Sequence, residues 1–91
     1  MPTFERLPRF VKDFSRLSSD QQLAFISAVE KFVADLRTKE GFRVKGVRGS
    51  PSLFEMTWAD DGRATFSYGE SIREGEVHVI WHRVGTHDIL S

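Results

Sequence analysis

The chain contains no cysteine. That excludes disulfides and thiolate chemistry and favours a reducing compartment. No apolar run approaches the roughly 18 residues of a membrane span. The start, Met1 to Phe10, carries charges and two prolines and lacks the apolar core of a signal peptide. The expected location is therefore the cytoplasm, with no membrane partner. Excess charge of either sign is also missing: 13 Lys and Arg balance 13 Asp and Glu. Many nucleic-acid binders carry a strong positive excess, because phosphate neutralisation supplies much of their affinity. Any RNA contact here must come from a local cluster. There is no phosphate-binding glycine loop and no Gly-x-Ser-x-Gly elbow. Three histidines invite a zinc site, but His78 and His82 lie four residues apart on a candidate strand. That is about 13 Å along the chain, whereas one zinc needs each nitrogen at roughly 2 Å. Neither metal nor other cofactor is expected.

Ninety-one residues, 40% hydrophobic and 29% charged, make one ordinary domain spanning 1–91. Its core must be thin, so a partner can add to its stability. Repeats, low-complexity tracts and linkers are absent. Thr3 to Leu7 is a candidate edge strand. Pro8 suits the first helical position, where its missing N–H costs nothing. Phe10, Phe14 and Leu17 follow at helical spacing, so a short helix to about Leu17 is expected. Ser18-x-x-Gln21 and Ser19-x-x-Gln22 both fit a capping box. A longer helix then runs to about Arg37, with Phe25, Ile26, Val29, Phe32, Val33 and Leu36 as its apolar stripe. Gly41 is a plausible stop.

After residue 42 the period changes from helical to alternating. Phe42 to Val47 is a candidate strand, ending near Gly46 and Gly49-Ser50-Pro51. Leu53 to Ala59 alternates, with Phe54, Met56 and Trp58 on one side and Glu55 and Thr57 on the other. Asp60-Asp61-Gly62 signals a hairpin turn, with the glycine expected to supply a positive φ. Arg63 to Tyr68 alternates again, and Gly69 to Gly75 is a polar loop. Glu76 to Val84 is a further strand, placing Val77, Val79 and Trp81 opposite His78, Ile80 and His82, with Arg83 in the frame of Trp81. The pattern predicts an α+β domain: an N-terminal helical hairpin packed on one face of a mostly antiparallel sheet of three or four strands. Trp58 and Trp81 belong to the core. The other sheet face is expected to be polar and open.

On that polar face, Glu55 and Arg63 sit on adjacent strands. Arg83, Gly85, Thr86 and His87 follow at the end of the last strand. A carboxylate, two guanidiniums and an imidazole are the groups that metal-free RNA cleavage needs. A base takes the proton of the 2′-hydroxyl, arginines neutralise the pentavalent phosphate, and an acid protonates the leaving 5′-oxygen. Imidazole suits the last role, because its pKa lies near neutrality. A solvated ion-pair patch accounts for the same residue types without any chemistry.

Three stretches go further. Val44-Lys45-Gly46 through Gly49, then Leu53-Phe54-Glu55-Met56, is similar to the "LKG…G…" turn of the RelE/ParE toxins of bacterial toxin–antitoxin pairs. Gly62-Arg63-Ala64-Thr65-Phe66-Ser67-Tyr68 resembles the strand that carries an arginine just after the family's hairpin. Arg83-Val84-Gly85-Thr86-His87-Asp88-Ile89-Leu90 resembles the C-terminal R-x-G-T-H-x-x-L/F of the YafQ-like branch. The resemblance spans the whole domain, with motif content only after residue 42. It implies a toxin that cleaves messenger RNA on the ribosome without metal, inhibits translation, and is neutralised by a cognate antitoxin. DNA would be met only through the antitoxin complex. By motif, His87 matches the terminal catalytic histidine, Arg63 the phosphate-binding arginine, and Arg83 the arginine four residues before the histidine. Lys45 matches the basic residue of the turn, an RNA-backbone contact, with Arg43 and Arg48 beside it. Glu55 is nominated as base from face geometry alone. Two other readings share the fold: a non-catalytic toxin of the ParE kind that inhibits gyrase, and an inactive relative that binds only protein.

Overall fold

Residues 2–38, 44–47 and 49–90 of the computed structural model are described below. The chain runs β1 (Thr3–Arg6), α1 (Pro8–Ser15), α2 (Ser19–Thr38), β2 (Val44–Val47), β3 (Ser50–Thr57), β4 (Gly62–Gly69) and β5 (His78–Thr86), and closes with a 3-10 turn over His87–Leu90. The strands form one sheet in the order β1-β5-β4-β3-β2. β1 pairs parallel with β5, and every other neighbour is antiparallel. The expected α+β architecture is present, with five strands in place of three or four. The additional pairing is β1 against β5, and periodicity alone does not reveal which strand a four-residue segment will join. Gly41, Phe42 and Arg43 lie outside the described residues.

Local chemistry sets the helix boundaries. The Leu7 N–H donates to the Trp81 carbonyl oxygen at 3.0 Å, tying down the end of β1. Pro8 then opens α1 at its first position. α1 stops at Ser15, two residues short of the expected Leu17. The first of the two possible capping boxes forms: the Ser18 N–H donates to Gln21 Oε1 at 2.8 Å and the Gln21 N–H to Ser18 Oγ at 3.2 Å. Gln22 instead donates from Nε2 to the Phe14 carbonyl at 2.9 Å, linking the two helices.

Both helices lie on one face of the sheet. Phe10 of α1 and Phe25, Ala28 and Phe32 of α2 pack onto Phe66, Val79 and Trp81. Phe25, Ala28 and Phe32 follow i, i+3, i+7, a single narrow stripe. Ile26 is about 100° around the helix from Phe25 and is 47% exposed. It is therefore not part of the core stripe predicted for it. Val77 falls just before β5 and is likewise exposed.

β5 carries a bulge. Thr65 pairs with Arg83, yet Phe66 pairs with Trp81, so His82 is the extra residue. The bulge shifts the alternation by one place. Val84, not Arg83, continues the core side of Val79 and Trp81, and Val84 is fully packed. Gly62 also departs from expectation. The positive-φ glycines among the described residues are Gly49 and Gly75. At Gly62 a Cβ would fall 2.6 Å from Trp58 Cδ2 and Cε2, so the residue is glycine because the indole lies on it.

Candidate functional site

Register assembles the outer face, opposite the helices. Glu55 pairs with Thr65, and Thr65 with Arg83. Thr57 pairs with Arg63, and Arg63 with Gly85. Paired residues share a face, and neighbouring strands lie about 4.8 Å apart. Glu55, Arg63 and Arg83 thus stand on three adjacent strands within two residue rows. Gly62 pairs with Thr86, so His87 leaves the sheet beside the strand end that carries Arg63.

Arg63 is held by the hairpin it follows. Its Nη1 donates to the carbonyl oxygens of Gly62 at 2.9 Å, Asp60 at 3.3 Å and Ala59 at 3.4 Å. Its own carbonyl accepts from Trp58 Nε1 at 3.0 Å. A core tryptophan therefore fixes the backbone, and the turn carbonyls fix the guanidinium.

Arg83 is bound from the other layer. Its Nε donates to Asp13 Oδ2 at 3.0 Å and its Nη2 to Asp13 Oδ1 at 3.2 Å, a two-pronged pairing. The Val84 N–H donates to Asp13 Oδ2 at 3.3 Å. This geometry follows from topology. β1 pairs with β5 only as far as Trp81, so the edge of β5 is uncovered beyond it, and the carboxylate of α1 takes up the free N–H. Asp13 is only 7% exposed. Burial pushes its pKa up, but the bonds from Arg83 and Val84 and the charges of Arg83 and Arg9 outweigh it, and the net shift is downward. The bond to Asp13 holds the Arg83 pKa above its ordinary value, against a smaller opposing effect of burial.

Glu55 lies on the outer face but is 5% exposed, and Thr65 beside it is also buried. The face is therefore less open than alternation implies. The C-terminal turn contributes to this on the β5 side. A Cβ on Gly85 would come 2.9 Å from Ile89 Cγ2, which places Ile89 over that outward-facing position. His87, at the head of the same turn, is exposed. Thr86 Oγ1 accepts from the Asp88 N–H at 3.4 Å. Lys45 pairs with Glu55 across β2 and β3, which puts its Cα in the row of Glu55, Thr65 and Arg83. Arg43 and Arg48 lie outside the described residues.

Two other histidines have structural partners. Ser67 Oγ and His82 Nε2 share a hydrogen bond of 2.8 Å. His78 is buried between Thr3 Oγ1 at 2.8 Å from Nδ1 and Glu5 Oε1 at 3.2 Å from Nε2, fastening β1 to β5. Among the described residues no group of three or more His, Asp or Glu is placed to hold a metal ion. Sequence reasoning missed Asp13. Its one signal is an acid on the apolar side of a short helix otherwise rich in Arg and Lys.

The fold matches solved toxin structures along nearly its whole length. The RelB–RelE antitoxin–toxin complex from Methanococcus jannaschii superposes with a TM-score of 0.67 at 12% identity, over 94% of this chain and 93% of that one. The E. coli DinJ–YafQ toxin–antitoxin complex gives 0.65 at 13%, over 98% and 96%. A YoeB/ParE toxin from Agrobacterium tumefaciens gives 0.67 at 9%, over 93% and 98%. No protein-family model matches the chain, and no curated protein matches it in sequence. Likeness at these identities is likeness of fold, and the chain has the fold of the RelE/ParE toxins. RelE, YafQ and YoeB/ParE structures superpose about equally well, so the YafQ-like branch suggested by the C-terminal motif is not singled out.

Proposed function

We propose that this chain is the toxin of a type II toxin–antitoxin pair and acts as a metal-independent, ribosome-dependent messenger-RNA endoribonuclease. The observation that carries this is the placement of Arg63, Arg83 and exposed His87 around one end of the β4–β5 ladder, on a RelE/ParE fold. In the reaction the 2′-oxygen attacks the adjacent phosphorus, the P–O5′ bond breaks, and a 2′,3′-cyclic phosphate and a 5′-hydroxyl result. His87 donates the proton to the leaving 5′-oxygen. Arg63 turns from the carbonyls of its hairpin to the phosphate, exchanging neutral acceptors for an anionic one. Arg83, held by Asp13 through Nε and Nη2, offers Nη1 to the phosphate. Glu55 serves as base only if the face over β3 opens, since its carboxylate is buried. Lys45, Arg43 and Arg48 bind the RNA backbone. The partner is a cognate antitoxin and the complex is cytoplasmic; the RelB–RelE and DinJ–YafQ structures, which share the fold, are toxin–antitoxin complexes.

The test is primer extension on a messenger RNA incubated with the protein, with and without translating ribosomes. Cuts should require ribosomes, and His87→Ala should slow them by about 100-fold or more, the usual contribution of a general acid. Cutting by His87→Ala at the wild-type rate would remove the assigned role.

A second reading is favoured by the two arginines being engaged within the protein: a toxin that binds without catalysis, of the ParE kind. Loss of gyrase supercoiling with excess protein, together with no RNA cuts, would establish it in place of the first.

A further inference from the structure

The exposed charges of α1 are all of one sign. Arg9, Lys12 and Arg16 recur at i, i+3 and i+7, and all three are exposed. Arg16, the C-cap, keeps helical φ and ψ, so it stays in line with the other two. The stripe spans about 10 Å along the helix. The acid on this side of α1 is Asp13, which is buried and already bonded to Arg83 and the Val84 N–H. Arg9, with 65% of its side chain exposed, approaches Asp13 only to 3.9 Å. Lys12 and Arg16 form no ion pair among the described residues. Arg9 shares one carboxylate with Arg83, and Lys12 and Arg16 have none among the described residues, so the row keeps a positive excess that repels itself and that a polyanion relieves.

The position of the stripe is informative as well. Arg9 and Arg83 both approach the same Asp13 carboxylate. Arg83 is two residues from Gly85, the register partner of Arg63. Arg9, at one end of the α1 stripe, therefore meets Arg83 across the shared Asp13 carboxylate at the free edge of β5, in a chain whose formal charge is zero. One line of charge on one helix fits one strand of phosphates, not the two of a duplex.

We infer that Arg9, Lys12 and Arg16 bind the backbone of a single-stranded RNA whose scissile phosphate lies at Arg63, Arg83 and His87. The inference rests on the ribonuclease reading for the direction of the RNA, but binding and cutting are separable. Each cation contacts phosphate through solvent, sets no base preference, and adds to the salt dependence of binding.

The test is binding of a fluorescein-labelled, unstructured RNA oligonucleotide to the full chain over a range of salt concentrations. Wild type is compared with the triple variant Arg9→Gln/Lys12→Gln/Arg16→Gln, and with Lys31→Gln/Arg73→Gln as an equally exposed reference. The triple variant should bind about tenfold or more weakly at low salt, and its log–log salt slope should be shallower by about 2, at roughly 0.7 per phosphate contact in single strands. Circular dichroism should show an unchanged fold, since the three side chains are exposed. Equal binding by wild type and triple variant overturns the inference, as does an equal loss in the reference variant. Primer extension with wild-type protein and translating ribosomes separates the two readings. Weaker oligonucleotide binding by the triple variant with no cuts by wild type removes the ribonuclease reading and leaves the binding result standing.

Discussion

Asp13 is the residue on which the two layers of the site depend. One carboxylate accepts from Arg83 Nε and Nη2 and from the Val84 N–H. Asp13→Asn keeps the shape but removes the charge and one acceptor. The loss should be about 1–3 kcal/mol, the cost of leaving a charged donor and a buried N–H poorly served. The pH dependence has a definite sign. The folded-state pKa of Asp13 is depressed, so its stabilisation is fully present above the ordinary carboxylate pKa and fades as pH falls through the folded value. Urea unfolding of wild type and Asp13→Asn from about pH 7 down to about pH 3 should show a gap that is widest at neutrality and narrows in acid. A constant gap would mean that the asparagine costs packing and not charge. Arg63 and His87 were legible in the sequence as residues, because a turn signal and a terminal motif mark them. Asp13 was not, because its partners are 70 and 71 positions away and no local pattern links them.

At the scale of elements, alternation gave the correct face for β3 and β4 and failed in β5. The bulge at His82 has no sequence signature, so counting in twos from Val77 put Arg83 in the core frame where Val84 belongs. The parallel partner of β1 was equally invisible. Strand content is a local property, whereas pairing depends on how α1 returns the chain. The C-terminal turn gives a sharper case. Ile89 is seated over Gly85, and a Cβ there would stand 2.9 Å from Ile89 Cγ2. Ile89 belongs to a single 3-10 turn of four residues, none of them buried, so it can move away. Gly85→Ala should therefore cost about 1–3 kcal/mol, the usual cost of an added methyl that its neighbours must accommodate. Movement of Ile89 carries His87 with it, and a displacement near 1 Å at a reacting group costs on the order of 100-fold in rate. On the ribonuclease reading, Gly85→Ala should stay cooperatively folded in the absence of urea, with a lowered midpoint, and lose most of its cutting. Full cutting with a displaced turn would show that the position of His87 does not matter.

The whole molecule is held by a continuous set of rings with Trp81 at its centre. Its indole meets Phe10 of α1 at 6.0 Å, Phe25 and Phe32 of α2 at 5.4 and 5.8 Å, and Phe66 of β4 at 5.3 Å between centroids. Because β5 also pairs with β1 on one side and β4 on the other, this one residue joins both helices to the middle of the sheet. A chain of 91 residues has a total stability of about 5–14 kcal/mol at the usual 0.05–0.15 kcal/mol per residue. Trp81→Ala should remove about 3–5 kcal/mol of it, the range for deleting a large buried ring. The loss should be felt everywhere at once. Far-ultraviolet circular dichroism, which follows the helices, and tryptophan fluorescence from the remaining Trp58, which follows the sheet, should report the same lowered midpoint in urea. Helices that melt before the sheet would show that the ring contacts do not couple the layers. That would also weaken the placement of the α1 cations beside the outer-face cluster, since α1 is positioned on β5 by Phe10 on Trp81 as well as by Asp13 on Arg83.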